Sequence, residues 1–169
     1  YRRAAAAGNT YALKELGDLY ASGTGVPKDL AQAAEFYKTA ADSGNPWAQI
    51  RLAELYMKGE GVSRDVSEAA TWYRRAAEAG NPYAQTGLGD LYSSGKGVVL
   101  DLTQAARWYQ AAAEQNDSWA QLRLGELYLK GAGVTADPAR AAALYRRSAE
   151  AGNSYAQKAL GDLYASGEG

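Results

Sequence analysis

The chain has 169 residues, 47% of them hydrophobic, and its 18 basic and 19 acidic side chains nearly cancel. Such a balance offers no cationic field for phosphate backbones or anionic lipid, which argues against nucleic-acid and membrane-surface roles. With neither cysteine nor histidine in the chain, disulfides, thiolate nucleophiles and soft metal sites fall outside the inventory.

No apolar run approaches the ~18 residues that a membrane span needs, so no insertion is expected. The lack of cysteine leaves the compartment open. The chain begins at Tyr1, without a methionine and inside a repeated unit, which reads as a fragment with room for a targeting segment upstream.

Tyr1, Tyr37, Tyr73, Tyr109 and Tyr145 stand 36 residues apart. The stretch Gly44-Asn45-Pro46-Trp47-Ala48-Gln49 through Val62 returns from Gly80 and, with drift at its first two positions, from Asn116. Earlier and later copies start at Gly8 and Gly152. A fixed period of this size signals a repeat array. The expected organisation is one array over 1–169: a partial second helix over 1–9, repeats 10–45, 46–81, 82–117 and 118–153, and a partial first helix over 154–169.

Each repeat reads as two helices, A then B. In the second repeat Gly44 suits the left-handed position past the preceding helix. Asn45 is the N-cap and Pro46 the first helical residue, where a missing N–H costs nothing. Ala48, Leu52, Leu55 and Tyr56 form one apolar stripe, and Gly59 ends helix A, predicted over roughly 46–58. The loop carries one apolar residue, Val62, matched by Val26, Val98 and Val134, which is expected to plug the core. Asp65 caps helix B, predicted over roughly 66–79, and Glu68 stands at capping-box spacing; Asp29/Gln32 and Asp101/Gln104 repeat the pattern. At the last repeat the cap Asp137 is followed by Pro138. Ala69, Ala70, Tyr73, Ala76 and Ala77 form the inner stripe of helix B, with Trp72 beside it. Small residues there, with Gly17, Gly89, Gly125 and Gly161 on the A helices and Ala53 in the second, let two helices approach closely. Tyr20, Tyr56, Tyr92, Tyr128 and Tyr164 are expected in the core. The predicted fold is all-α, a stack of αα-hairpins.

A longer period overlies the first. Tyr11, Tyr83 and Tyr155 alternate with Trp47 and Trp119, so alternate repeats are closer relatives than neighbours. Duplication of a two-repeat block, or a design from two modules, produces this pattern.

The run Leu-Gly-Asp-Leu-Tyr-x-x-Gly-x-Gly-Val from Leu88 to Val98, continuing through Asp101 to Ala105-Ala106-x-Trp108-Tyr109-x-x-Ala112-Ala113, resembles the Sel1-like repeat, a relative of the tetratricopeptide repeat. The resemblance covers the whole chain. It implies a right-handed α/α superhelix with helix A lining the concave surface and helix B outside. It also implies a non-catalytic adaptor or scaffold in protein–protein interaction, commonly bacterial, in periplasm or cytoplasm. A bacterial subgroup of the family carries a disulfide in each repeat; this chain has no cysteine, so that subgroup's properties are not implied.

The stripe of helix A opposite its core face holds Trp47, Ile50, Glu54, Met57 and Lys58. Over the repeats it makes an aromatic row, Tyr11, Trp47, Tyr83, Trp119 and Tyr155. It also makes an acidic row, Asp18, Glu54, Asp90, Glu126 and Asp162. Between them the residues change: Lys14, Ile50, Thr86, Leu122 and Lys158 at one level, Ala21, Met57, Ser93, Leu129 and Ala165 at the next, with Lys58 and Lys130 at the helix ends. One reading is a groove for a peptide or partner protein, with aromatic anchors, carboxylates selecting basic groups and the changing positions setting specificity. The other reading is structural: the rings pack between neighbouring A helices, and the carboxylates pair with arginines such as Arg51 and Arg123 or form a solvated face.

Two other classes compete. A paired-carboxylate hydrolase could be drawn from the acidic row, but those acids recur in every repeat and none is singled out. Gly59-x-Gly61 follows a helix, and no Gly-Lys-Ser/Thr follows it, so it is no phosphate loop. Adjacent repeats would hold the acids ~9–10 Å apart, too far to share one Ca²⁺ or Mg²⁺. No catalytic residue, metal or cofactor is assigned. The third class is a structural array that self-associates end to end, since neither end shows a polar capping helix.

Overall fold

The structure is a computed structural model, described here for residues 1–167. Its described elements are all α-helices: α1 (Arg2–Ala6), α2 (Thr10–Ser22), α3 (Leu30–Asp42), α4 (Pro46–Lys58), α5 (Val66–Glu78), α6 (Pro82–Ser94), α7 (Leu102–Glu114), α8 (Ser118–Lys130), α9 (Pro138–Glu150) and α10 (Ser154–Ser166). The even-numbered helices are the A helices of the repeats; the odd-numbered are the B helices. The chain divides into two compact units, Tyr1–Gly80 and Asn81–Gly169.

The helix ends are where the side chains put them. Asn45 Oδ1 accepts from Ala48 N–H at 3.0 Å, and Pro46 opens α4 behind it. Gly59 closes α4 at φ 74°, a conformation that a side chain would strain, and its N–H donates to the Leu55 carbonyl. Asn116, at φ 65°, is the described non-glycine residue that takes this conformation. Its repeat equivalents are Gly8, Gly44, Gly80 and Gly152.

The B-helix caps are made, but only one arm of the expected capping box forms. Asp65 Oδ1 accepts from Ser67 and Glu68 N–H, both at 3.0 Å. The N–H of Asp65, which a box would give to Glu68, donates instead to the Tyr56 carbonyl at 3.0 Å. Asp29, Asp101 and Asp137 do the same to Tyr20, Tyr92 and Tyr128 at 2.9, 3.0 and 2.9 Å. The carbonyl near the end of helix A is a better-placed acceptor than a side chain that must be ordered first.

In the first unit the core gathers Leu13, Ala33, Ala34, Tyr37, Ala48, Leu52, Ala53, Leu55, Ala69 and Trp72, with Val62 and Tyr56 packed against it. In the second unit, Ala105, Ala106, Tyr109, Ala120, Leu124 and Leu127 form one cluster, flanked by Val134. Leu122, Ala141, Ala142, Tyr145, Ala156 and Leu163 form another. Burying each large side chain contributes about 1.5–3 kcal/mol.

The small residues on helix A matter because the B-helix tyrosine lies against them. A Cβ placed on Gly89 would stand 2.5 Å from Tyr109 Cε1, and one on Gly125 2.5 Å from Tyr145 Cε1; Gly17 meets Tyr37 in the same way. The second repeat has Ala53 there, and its tyrosine, Tyr73, is only half-buried where Tyr37, Tyr109 and Tyr145 are buried. The second loop glycine is also packed: a Cβ on Gly61 would collide with the Leu30 carbonyl, and one on Gly133 with that of Leu102.

The second tyrosine series differs from expectation. Tyr20, Tyr56, Tyr92 and Tyr128 are half-buried rather than core, and Tyr164 is 48% exposed. The rings of the first four lie on the core with their polar ends outward. Arginines donate there: Arg140 to Tyr128 at 3.2 Å and Arg146 to Tyr164 at 2.7 Å.

Candidate functional site

The aromatic row stands out in solvent. Its exposures run from 46% at Trp119 to 65% at Tyr155, with Trp47 at 48%. Each ring sits in the first turn of an A helix whose next residue, an alanine, is buried, so the helix turn aims the ring away from the core. In the second unit Trp119 and Tyr155 touch, with ring centroids 5.3 Å apart and planes tilted by 43°. In the first unit the Lys14 ammonium lies 5.9 Å from the Tyr11 ring centroid.

The levels between the rows divide. Ile50 (7% exposed) and Leu122 (3%) are buried and so present no groove surface, contrary to the expectation for them. Leu122 packs with Ala141, Ala142 and Tyr145 of α9 and with Ala156 and Leu163 of α10. An A helix flanked on several sides buries more than one stripe. Met57 and Leu129 are half-buried against the same cores. Lys58 and Lys130 are exposed.

The acidic row is largely neutralised from within. Asp18 accepts from Tyr37 Oη at 2.6 Å and from Lys14 Nζ at 2.6 Å, and lies 3.8 Å from Arg51 Nε. Arg51 also pairs with Glu54 at 3.0 Å. The second unit repeats this except for the lysine, whose place Thr86 takes: Tyr109 Oη to Asp90 at 2.6 Å, Arg123 Nε to Asp90 at 3.8 Å, Arg123 to Glu126 at 3.2 Å. Asp162 pairs with Lys158. Exposed pairs of this kind are worth only about 0–1 kcal/mol; their consequence is that few carboxylates are left to recruit a basic partner.

Around each set lies an open polar cavity. That of the first unit, about 490 Å³, is lined by Asp18, Tyr37, Arg51, Glu54 and Lys58, with Lys28 at its rim. Its twin in the second unit, about 470 Å³, is lined by Asp90, Tyr109, Arg123, Glu126 and Lys130, with Lys96 at its rim. Burial first, then the hydrogen bond to Asp18 or Asp90, pushes the Tyr37 and Tyr109 hydroxyls well above the ordinary tyrosine range. Both therefore stay neutral donors at any physiological pH. Burial, followed by the charge of Glu126, pushes Tyr145 up to about 12. Each hydroxyl's one proton is thereby committed to its aspartate, and the cavity walls carry mixed charge.

The sequence reading put the B-helix tyrosine on the inner stripe, at Tyr73, and did not see that its equivalents Tyr37 and Tyr109 line polar cavities. The usable signal was the alternation of Arg51 and Arg123, and of Lys58 and Lys130, which stand only in alternate repeats. Among the described residues no group of three or more acidic side chains converges as a metal site would require. None of the described helices is long and apolar enough to cross a membrane.

Paired helices with regularly placed caps, a glycine–tyrosine packing contact and a solvent-facing aromatic row define a solenoid-like helical repeat protein. The Sel1 repeat model matches residues 10–45, 48–81, 82–117 and 120–153, and the chain belongs to the Sel1 repeat family. It is similar, at 44% identity and a TM-score of 0.95, to c5321, a protective antigen of uropathogenic Escherichia coli with this fold; 98% of this chain and 36% of that one are covered. A Sel1 repeat protein from Oxalobacter formigenes is 42% identical, with a TM-score of 0.89 and coverage of 95% and 66%. The cysteine-rich protein B of Helicobacter pylori is 26% identical, with a TM-score of 0.62 and coverage of 79% and 96%. The chain thus spans about a third of the Escherichia coli protein and just under two thirds of the Oxalobacter one. No curated protein matches it significantly. Sel1 repeat proteins are generally protein-interaction scaffolds and generally non-catalytic.

Proposed function

We propose that the chain is a non-catalytic interaction module that binds a peptide or partner protein on the exposed face of its A helices. The carrying observation is the exposure of a large aromatic at the same place in each of the five A helices: Tyr11, Trp47, Tyr83, Trp119 and Tyr155. Large rings in water cost free energy that a partner would recover, and they lose little rotamer entropy on contact. Next along the helices, the two polar cavities hold Asp18, Glu54, Asp90 and Glu126 in ion pairs, leaving the exposed lysines of their lining, Lys58 and Lys130, to meet a partner's acceptors. The rings supply contact area; the cavities supply orientation.

The test is tryptophan fluorescence during titration with a peptide library spanning acidic, basic and apolar sequences. Trp47 and Trp119 are the half-exposed indoles of the A helices, whereas Trp72 is only 4% exposed. Saturable shifts that disappear in the Trp47→Phe/Trp119→Phe double variant are expected. Absence of any shift across the library, or shifts that survive both substitutions, would refute the assignment.

A further inference from the structure

A cavity of about 730 Å³ opens in the second unit between α7 and α9, the B helices, with Leu124 and Tyr128 of α8 in its walls. Its walls include Ala106, Leu124, Tyr128, Val134 and Leu144, and Arg107 and Arg140 stand at its rim. The size falls in the ~300–1,000 Å³ range of clefts that hold ligands.

The first unit explains why the space is there. The equivalents of Ala106, Leu124, Tyr128 and Val134, half the repeat array earlier, are Ala34, Leu52, Tyr56 and Val62. In the first unit these four pack in one cluster with Trp72, which is 4% exposed. Leu144 is the equivalent of Trp72. The other B helices carry Phe36, Trp72 and Trp108 at this position, so leucine here removes an aromatic ring while leaving the walls that received it.

The rim changes in step. Arg107 replaces Glu35 and Arg140 replaces Glu68. The Arg140 guanidinium lies 5.5 Å from the Tyr128 ring centroid, donates to its hydroxyl at 3.2 Å and pairs through Nε with the cap Asp137 at 3.2 Å, holding that wall in place. Two carboxylates around a filled site have become two guanidinium groups around an open one.

We infer that this cavity receives an aromatic side chain of a partner protein, flanked in the partner by acidic residues. The ring would take the place that Trp72 fills in the first unit, and the two guanidinium groups would meet the flanking carboxylates. The site is separate from the A-helix face, so it can hold or fail independently of the reading given above.

The probes are three blocked tripeptides, Asp-Trp-Asp, Asp-Leu-Asp and Lys-Trp-Lys, titrated into the ¹⁵N-labelled chain and followed by amide shifts. Asp-Trp-Asp should give saturable shifts in α7 and α9 around Tyr128 and Leu144, at least about tenfold tighter than either other peptide. Leu144→Trp, which recreates the packing of the first unit, should lower that affinity at least about tenfold with the circular dichroism unchanged. Arg107→Glu, which leaves Arg140 facing a carboxylate across the site, should abolish the preference between the aspartate- and lysine-flanked peptides. No saturable shift up to about 10 mM, shifts confined to the A helices, or equal affinity in Leu144→Trp would overturn the inference. So would equal binding of Lys-Trp-Lys by the parent chain.

Discussion

Gly89→Ala and Gly161→Ala should move stability in opposite directions, although both glycines stand in the same pentapeptide, Leu-Gly-Asp-Leu-Tyr. In a helix interior alanine is favoured over glycine by about 1 kcal/mol. At Gly161 nothing among the described residues lies within 4 Å of the added methyl, so in this chain that gain should be realised almost whole. At Gly89 the methyl would lie 2.5 Å from Tyr109 Cε1 and 2.7 Å from Cδ1, whereas carbon contacts settle near ~3.5–4 Å. The ring must retreat by about 1 Å, and it cannot do so freely. Tyr109 is 1% exposed and tied to Asp90 by a 2.6 Å hydrogen bond. Overpacking of this kind costs about 1–3 kcal/mol, and weakening a hydrogen bond to a charged group adds about 1 kcal/mol. After subtracting the propensity gain, Gly89→Ala should lose about 1–3 kcal/mol. The loss is bounded because the second repeat already tolerates Ala53, with Tyr73 displaced to half-burial. Urea unfolding followed by circular dichroism gives the sign, and amide exchange in α6 and α10 locates it. If Gly89→Ala stabilised the chain as much as Gly161→Ala does, the close glycine–tyrosine contact would not govern the packing.

Two further outcomes follow from the same contacts. Trp72→Leu should open in the first unit the space that the second unit already has. It should cost about 2–3 kcal/mol from the lost burial and the lost stacking of Arg75, whose guanidinium lies 4.5 Å from the ring, measured as a lower urea midpoint. With pH, Tyr37, Tyr109 and Tyr145 all ionise above the ordinary value of 10.0. Above about pH 10 the unfolded chain releases protons that the folded chain keeps. This stabilisation is therefore complete below about pH 10 and lost as pH rises through the folded-state values, about 12 for Tyr145. Absorbance at ~295 nm should show a late-titrating set of tyrosines, with unfolding setting in as they ionise; ordinary titration of all thirteen tyrosines would refute it.

The helix ends were readable because each is written locally. Asn45, Pro46 and Gly59 bracket α4 within a few residues, and the Asp65 cap begins α5. The aromatic row was readable for the same reason: Trp47 follows Pro46 in the first turn and precedes the buried Ala48, which settles its direction. Ile50 and Leu122 were misplaced because a single helix does not reveal how many neighbours press on it; the contacts that bury Leu122 come from α9 and α10. The cavities were invisible for a related reason. Arg51 and Arg123 were expected as partners of the carboxylates and are, but the Asp18–Arg51 and Asp90–Arg123 pairs join residues of different A helices, and no helical periodicity says which acid each arginine meets. The space beside Leu144 needed both a comparison between repeats and coordinates, since a leucine among aromatics looks conservative until the missing ring is seen as volume.

The bond from each B-helix cap to the tyrosine carbonyl of the preceding A helix closes the loop after a fixed number of residues. Between those two atoms the two glycines and the valine recur, while the last two places vary: Pro27-Lys28, Ser63-Arg64, Val99-Leu100 and Thr135-Ala136 fill them. What is constrained is the count, because one residue more or fewer would move the aspartate N–H off its acceptor and turn the capping carboxylate away from the helix. Length is therefore inherited strictly while sequence drifts. A segment exchanged between two such loops would arrive in phase whatever its residues were, so whole repeats can be duplicated, shuffled or grafted as interchangeable cassettes.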